Sequence, residues 1–311
     1  MPSAEKPVKI TFGKGEVCMT IKPSFGERLF DLSNVIFMIL LSLITLYPFL
    51  YVLIASFSDP AWLVKSRGIL LYPNGFNFDT YKMVFQNPSI LTGYANTIFY
   101  VIVGTSLNIF MTSLGAYALS RQNVMWKNPI MFGIVFTMFF NGGLIPTFLL
   151  INQLGMLDSR WALIFPVAMS AYNLIIMRTA FQGVPVSLEE SAKLDGANDF
   201  TVLFRIIMPL SMPVIAVMIL FYGVNHWNSW FNALIYIRSR DLYPLQLILR
   251  EILITNSTDS MMTGVGGGDK MPVGETIKYA TIIVATIPVL CLYPFLQKYF
   301  VKGVMIGAIK G

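Results

Sequence analysis

Between two long apolar stretches the chain reads Pro185-Val-Ser-Leu-Glu-Glu-Ser-Ala-Lys-Leu-Asp-Gly-Ala-Asn-Asp-Phe-Thr-Val-Leu-Phe-Arg-Ile-Ile-Met-Pro209. Its local chemistry spells helix, turn, helix. Ser187 followed three residues later by Glu190 has capping-box spacing, which predicts a helix starting near Leu188. Gly196 suits a left-handed helix stop. Asn198 or Asp199 can cap a second short helix through Phe204. Pro209 fits the first turn of the next helix, where a missing N–H costs least. Glu189, Glu190, Lys193 and Asp195 keep the stretch out of lipid, while the small Ser191, Ala192 and Ala197 let another surface come close. On these grounds alone it is either an interfacial amphipathic loop or a docking element.

The surroundings of this stretch are apolar. Of 311 residues, 55% are hydrophobic and 12% charged, and the mean hydropathy is +0.66. Soluble domains carry roughly 25% charged residues, so this chain cannot dress a water-facing surface and needs lipid. The net charge of +6 comes from basic residues scattered between apolar blocks, which reads as membrane-flanking charge and not as a nucleic-acid surface. Cys18 and Cys291 have no metal-like spacing and read as free thiols.

A bilayer core of about 30 Å takes some 20 apolar residues as a helix. Six segments meet or approach that, at about 34–57, 94–119, 129–150, 161–180, 208–233 and 279–299, and none contains Asp or Glu. The expected fold is an all-α polytopic membrane protein with six transmembrane helices. Residues 1–33 form an N-terminal segment, 34–300 the membrane domain and 301–311 a tail. Lys6, Lys9, Lys14, Lys22 and Arg28 precede the first span, which is too long for a cleaved signal and lacks a small-residue cleavage site. The bias of Lys and Arg toward one set of loops places both termini and the 185–209 loop in the cytosol and the 238–278 loop outside.

Glu190-Ser-Ala192, then Gly196, Ile206 and Pro209, resembles the Glu-Ala-Ala loop of binding-protein-dependent ABC importer permeases, departing at Ser191 and Met208. Leu194-Asp-Gly-Ala197 is similar to the version in the carbohydrate-uptake branch. Asn141-Gly-Gly-Leu-Ile-Pro146 and Leu154–Pro166 resemble permeases for complex sugars. Phe300–Gly303 and Gly307–Gly311 resemble the tail of the smaller maltose-type permease. The likeness covers most of the chain after about residue 30. It implies the type I permease fold with 185–209 as a cytosolic coupling loop, in which Glu189, Glu190, Ser191, Ala192, Asp195, Gly196, Ala197, Phe200, Ile206 and Pro209 face a partner ATPase. It further implies a second permease chain, two cytosolic ATPase subunits that bind ATP and Mg, an extracellular or periplasmic sugar-binding protein, and residence in a bacterial cytoplasmic membrane. No cofactor is expected in this chain. Gly264–Lys270 lacks the Gly-Lys-Ser/Thr ending of a phosphate loop.

The implied activity is ATP-driven import of an oligosaccharide or a polysaccharide-derived sugar; a non-sugar solute is the alternative. Sugars need polar groups for their hydroxyls and flat rings for their C–H faces. Tyr222, Asn225, His226, Trp227, Asn228 and Trp230 offer both, and Tyr222, Asn225, His226 and Asn232 can share a broad helical face; the other reading is an interfacial aromatic belt. Asn141, Tyr172 and Asn173 are further pathway candidates, with helix–helix hydrogen bonding as the plainer role for the two asparagines. A secondary carrier usually needs charged groups inside its spans, and a lone histidine leaves no catalytic set for an intramembrane enzyme. The polar stretch Asn256–Met271, with Gly264, Gly266, Gly267 and Gly268, reads either as a flexible loop reaching the binding protein or as a surface insertion.

Overall fold

A computed structural model describes residues 6–12, 15–21, 24–65, 68–121, 123–262, 276–291 and 294. Two strands, β1 (Lys6–Phe12) and β2 (Gly15–Ile21), pair antiparallel with Val8 opposite Met19 and Ile10 opposite Val17. All other elements are helical: α1 (Phe25–Phe57), α2 (Pro60–Lys65), α3 (Asp79–Gln86), α4 (Pro88–Phe99) and α5 (Thr105–Ser120), the last two joined by a π turn at Tyr100–Gly104. There follow α6 (Lys127–Phe139), α7 (Leu144–Gln153), α8 (Trp161–Ile164) with a 3-10 turn at Phe165–Val167, and α9 (Ala171–Gln182). Then come α10 (Val186–Leu194), α11 (Asp199–Val202) running through a π turn at Leu203–Ile207 into α12 (Met208–Leu210), and α13 (Met212–Trp227). The chain continues with α14 (Phe231–Tyr236), a 3-10 turn at Arg240–Leu242, α15 (Leu245–Met262) and α16 (Thr276–Cys291).

Two of these are single helices long and apolar enough to cross a membrane: α1 and the continuous Pro88–Ser120. Three expected spans are bent pairs instead. The 129–150 segment breaks between α6 and α7 with a 113° turn, 161–180 bends by 53° between α8 and α9, and 88° separates Asp199–Leu210 from α13. Local chemistry accounts for each break. Asn141 accepts from the Gly143 N–H at 2.8 Å, making a tight turn. Pro166 and Pro213 lack the N–H that would continue a helix. Ser170 caps α9 by accepting from Asn173 N at 3.5 Å.

Several boundaries differ from the sequence reading. The N-terminal segment holds a hairpin, so the fold is mainly rather than wholly helical. Residues 25–33 already belong to α1, where Ser24 and Glu27 form a capping box, the Ser24 N–H donating to Glu27 at 2.8 Å. Pro209 lies in the short α12 ahead of the bend, and Pro213 takes the first-turn position of α13. The fifth apolar stretch stops being one helix at Trp227. The expected outer loop contains α15, which runs through the polar Asn256–Met262.

The core joins α5, α9, the Leu203–Ile207 turn and α13 around Met177, Phe181, Val202, Ile207 and Met218. Lipid tails are as apolar as leucine, so apolar burial alone does not hold such helices together; close packing and polar pairs do. Gly104 shows the first device. A Cβ there would collide with the His226 imidazole, so only glycine lets α13 approach the π turn. By contrast α1 stands apart, with only Ala55 and Ser56 buried along its 33 residues.

Candidate functional site

The segment α10–α11 is fastened to one end of the bundle by an ion-pair lattice. Glu189, one turn into α10, is the only buried charged residue among the described ones. Its carboxylate pairs with Arg121, just past the end of α5, and with Lys193 at 3.0 Å. Lys193 also reaches Asp199 at 3.1 Å, tying α10 to the start of α11. Tyr117 donates its hydroxyl toward Glu189 and Asp199, each at 3.4 Å. Arg121 lies over the Tyr117 ring and donates to the Phe181 carbonyl at 2.8 Å and to Ser120 at 2.9 Å. Arg178 and Lys127 donate to the carbonyls of Leu119 and Arg121 at 2.9 and 3.0 Å. These cations cover the end of α5, where the helix dipole is negative.

Burial pushes the Glu189 pKa up, yet the hydrogen bonds and charges of Lys193 and Arg121 outweigh it and hold the carboxyl below its usual range. The hydrogen bonds to Glu189 and then Asp199 push Lys193 up to about 12. Glu189 and Lys193 are therefore both charged near neutrality. Beside it opens a cleft of about 830 Å³, lined by Tyr117, Arg121, Lys127, Lys193 and Phe200 among others.

The turn is a Schellman stop. Gly196 sits at φ +83°, its N–H donates to the Lys193 carbonyl at 3.0 Å, and the Ala197 N–H reaches Ala192 at 2.9 Å. Asn198 caps α11, accepting from the Thr201 N–H at 2.8 Å. The expected capping box at Ser187 is not formed. The helix begins two residues earlier, at Val186, after the extended Pro185. Of the expected docking residues, Glu190, Ser191, Asp195, Gly196, Phe200 and Pro209 are exposed. Ala192 and Ala197 are half-buried against the core and Ile206 is half-buried, while Glu189 faces inward as an anchor. Leu194 is 89% exposed and Phe200 62%, an apolar rim on an otherwise polar element.

The pathway candidates separate into two groups. Tyr222 and His226 point into the bundle. Tyr222 pairs with Thr112 at 2.7 Å and accepts from the Ser170 N–H at 3.1 Å; His226 pairs with Asn108 at 2.7 Å. Trp227 is buried against Tyr94, and Asn173 is buried at the start of α9. Asn225 is exposed, so it does not share the face of Tyr222 and His226 as expected; Asn232 is half-buried and Asn228 is exposed. Tyr172 is exposed, Trp230 is partly exposed with the Arg250 guanidinium 4.7 Å from its ring, and Asn141 belongs to the α6–α7 turn. Gly264, Gly266, Gly267 and Gly268 lie outside the described residues. Sequence reasoning missed Arg121, Tyr117, Asn108 and Thr112. Only the Glu189–Lys193 pair had a local signal, its i,i+4 spacing.

A bundle of broken apolar helices, with a polar helix–turn–helix pinned to one end by buried charge, is the build of a membrane-embedded transport subunit. The chain belongs to the carbohydrate-uptake branch of binding-protein-dependent ABC importer permeases. It is 45% identical over 286 residues, 92% of its length and 99% of the relative's, to the polygalacturonan/rhamnogalacturonan transport system permease protein YtcP of Bacillus subtilis (strain 168). To the arabinooligosaccharides transport system permease protein AraQ of the same organism it is 27% identical over 295 residues, covering 93% and 98% of the two chains. A solved chain from a bacterial ABC transporter involved in the import of the acidic polysaccharide alginate superposes with a TM-score of 0.81 at 34% identity, covering 90% of this chain and all of that one. No family model matches the chain.

Proposed function

We propose that this chain is one membrane half of an ATP-driven importer for oligosaccharides derived from an acidic polysaccharide, and that α10–α11 is its coupling element. The observation that carries the coupling reading is the Glu189 lattice. It grips the segment from the bundle side and leaves Leu194, Phe200, Ser191 and Glu190 facing outward, as docking into a cytosolic ATPase requires. Arg121, Lys127, Arg178, Lys193 and Arg205 gather at this end, which fits a cytosolic side. Asn225 and Asn228 favour a second permease: amides exposed on a membrane helix find no partner in lipid, so this face of α13 meets another chain or the sugar path. An extracellular binding protein and two ATPase subunits complete the assembly. The acidic cargo rests on the names of YtcP, a polygalacturonan/rhamnogalacturonan transport permease, and of the transporter for the acidic polysaccharide alginate.

Gly196→Trp tests the coupling. A Cβ at Gly196 meets nothing within 4 Å, so the indole projects outward, while the positive φ strains the backbone by about 1–2 kcal/mol. Uptake of labelled oligogalacturonide into cells should fall at least tenfold while the chain stays in the membrane at normal abundance. Parental uptake by the variant would refute the assignment.

A further inference from the structure

The fourth apolar segment breaks inside the bundle, and the break is held by side chains from two other helices. After the 3-10 turn at Phe165–Val167 the chain runs through Ala168, Met169 and Ser170 before α9 begins. Such a break frees backbone groups that lipid cannot satisfy. Asn108 of α5 donates its amide to the Val167 carbonyl at 2.5 Å. Tyr222 of α13 accepts from the Ser170 N–H at 3.1 Å and shares a 2.7 Å hydrogen bond with Thr112 of α5. Both grips are backed from behind. Since Nδ2 of Asn108 faces a carbonyl, its Oδ1 faces His226 and must accept, so His226 carries a proton on Nε2 and donates across 2.7 Å. Asn108, Thr112, Tyr222 and His226 are each at most 4% exposed. What they hold up is open: Met169 in the break and Tyr172 in the first turn of α9 are 47% and 56% exposed.

We infer that Asn108 and Tyr222, with His226 and Thr112 behind them, form a clamp that makes the Met169–Tyr172 ledge move with α13. They are positioning residues for transport and do not themselves contact sugar. The geometry supplies the linkage. α13 follows the α11–α12 segment directly, across the 88° bend at Ser211, and Tyr222 and His226 sit one turn apart on its inward face. A displacement of the α10–α12 segment that pulls α13 must carry the ledge along or break the hydrogen bonds at Ser170 and Asn108. This rests on the ATPase-coupling reading above.

The test uses the assembled transporter in liposomes, with Cys18 and Cys291 replaced and Met169→Cys as a reporter, labelled by N-ethylmaleimide with and without ATP plus vanadate. The clamp requires the reporter's labelling rate to change with nucleotide, and that change to shrink about fivefold in Tyr222→Phe and His226→Leu, each of which removes a hydrogen bond in place. His226→Gln, which keeps a donor toward Asn108, should restore it. If Tyr222→Phe does not assemble, Thr112→Val serves, since it leaves the tyrosine and removes only its second partner. A nucleotide response at the parental level in Tyr222→Phe, Thr112→Val and His226→Leu overturns the clamp, as does a parent with no response. Gly196→Trp separates the two readings. If it abolishes the response while the clamp variants keep it, coupling stands and the clamp falls; if it keeps a response that Tyr222→Phe loses, the coupling assignment falls and the clamp stands.

Discussion

At the end of the bundle that carries α10, elements are fastened by full charges: Glu189 between Arg121 and Lys193, with Asp199 beyond. At the opposite end the same task is done mainly by neutral groups reaching for backbone. Asn96 donates to the carbonyls of Asp241 and Tyr243 at 2.6 and 3.1 Å, Tyr100 donates to Leu242 at 2.8 Å, and Thr97 accepts from the Leu245 N–H at 2.8 Å. A hydrogen bond from a buried amide to a carbonyl is short-ranged and dies with a small displacement. An ion-pair lattice retains attraction over several ångströms and can re-pair. The contrast suits a bundle that is rigid where α4 meets α15 and compliant where α10 meets α5. That is the arrangement the proposed coupling role of α10–α11 would need.

The largest expected effect breaks the charged end. Glu189→Gln leaves Arg121 and Lys193 facing an amide, and removing one partner of a buried ion pair costs about 3 kcal/mol. Hydrogen-exchange protection of α10 and α11 should fall by about two orders of magnitude, with α15 unchanged. Equal loss in both regions would mean that the two ends are not independent. The pH window follows from the shifts. Glu189 is depressed, so its contribution is complete above the ordinary 4.5 and is lost as pH falls through the folded value; Lys193 is raised, so its contribution is complete below 10.5 and is lost as pH rises through about 12.

The second effect is smaller and sharpens the comparison through salt. Asn96→Leu strands two carbonyls and the Arg160 guanidinium that donates to it at 3.1 Å, for about 2 kcal/mol. In detergent, the thermal midpoint of this variant should drop by the same amount at low and high ionic strength. That of Glu189→Gln should differ less from parent as salt rises, because Lys193 is half exposed and screened. A salt-dependent Asn96→Leu would remove the distinction.

The helix–turn–helix at 185–209 is legible in sequence because its determinants are local: a glycine at positive φ, an asparagine cap, an i,i+4 pair. Even there the Ser-x-x-Glu pattern occurs twice, at Ser24–Glu27 and Ser187–Glu190, and only the first is used as a capping box. At the second, the chain is already helical from Val186. The spans are legible as apolar blocks, but their breaks are not, since a proline or Asn-Gly-Gly inside an apolar run reads equally as a kink in one helix. Least legible is which side of α13 faces protein. In water an apolar stripe marks the buried face; in lipid both faces are apolar, so Tyr222 and His226 could not be told from Asn225 and Asn228 without the partners Asn108, Thr112 and Ser170.

The smallest effect tests the exception at the neutral end. Asp158 is a surface carboxylate there, in the loop after α7, with its backbone at φ +57°. It accepts from the Ser239 hydroxyl at 2.6 Å and from the N–H groups of Ser239 and Arg238 at 2.7 and 2.9 Å, and its own N–H reaches the Tyr236 carbonyl at 2.8 Å. The Ser239 hydroxyl first, then the two N–H groups, pull its pKa below the usual 3.8. A depressed carboxyl contributes above 3.8, and the contribution is lost as pH falls below it through the folded value. Exchange of the Arg238 and Ser239 amides should therefore accelerate on acidification below about pH 4 while the Leu245 amide, bonded to Thr97, keeps its protection. Asp158→Asn tolerates the left-handed backbone but cannot titrate, so exchange at 238–239 should lose its acid-dependent step. If the variant shows the same step as the parent, another group controls the loop and the neutral end is not fastened by Asp158.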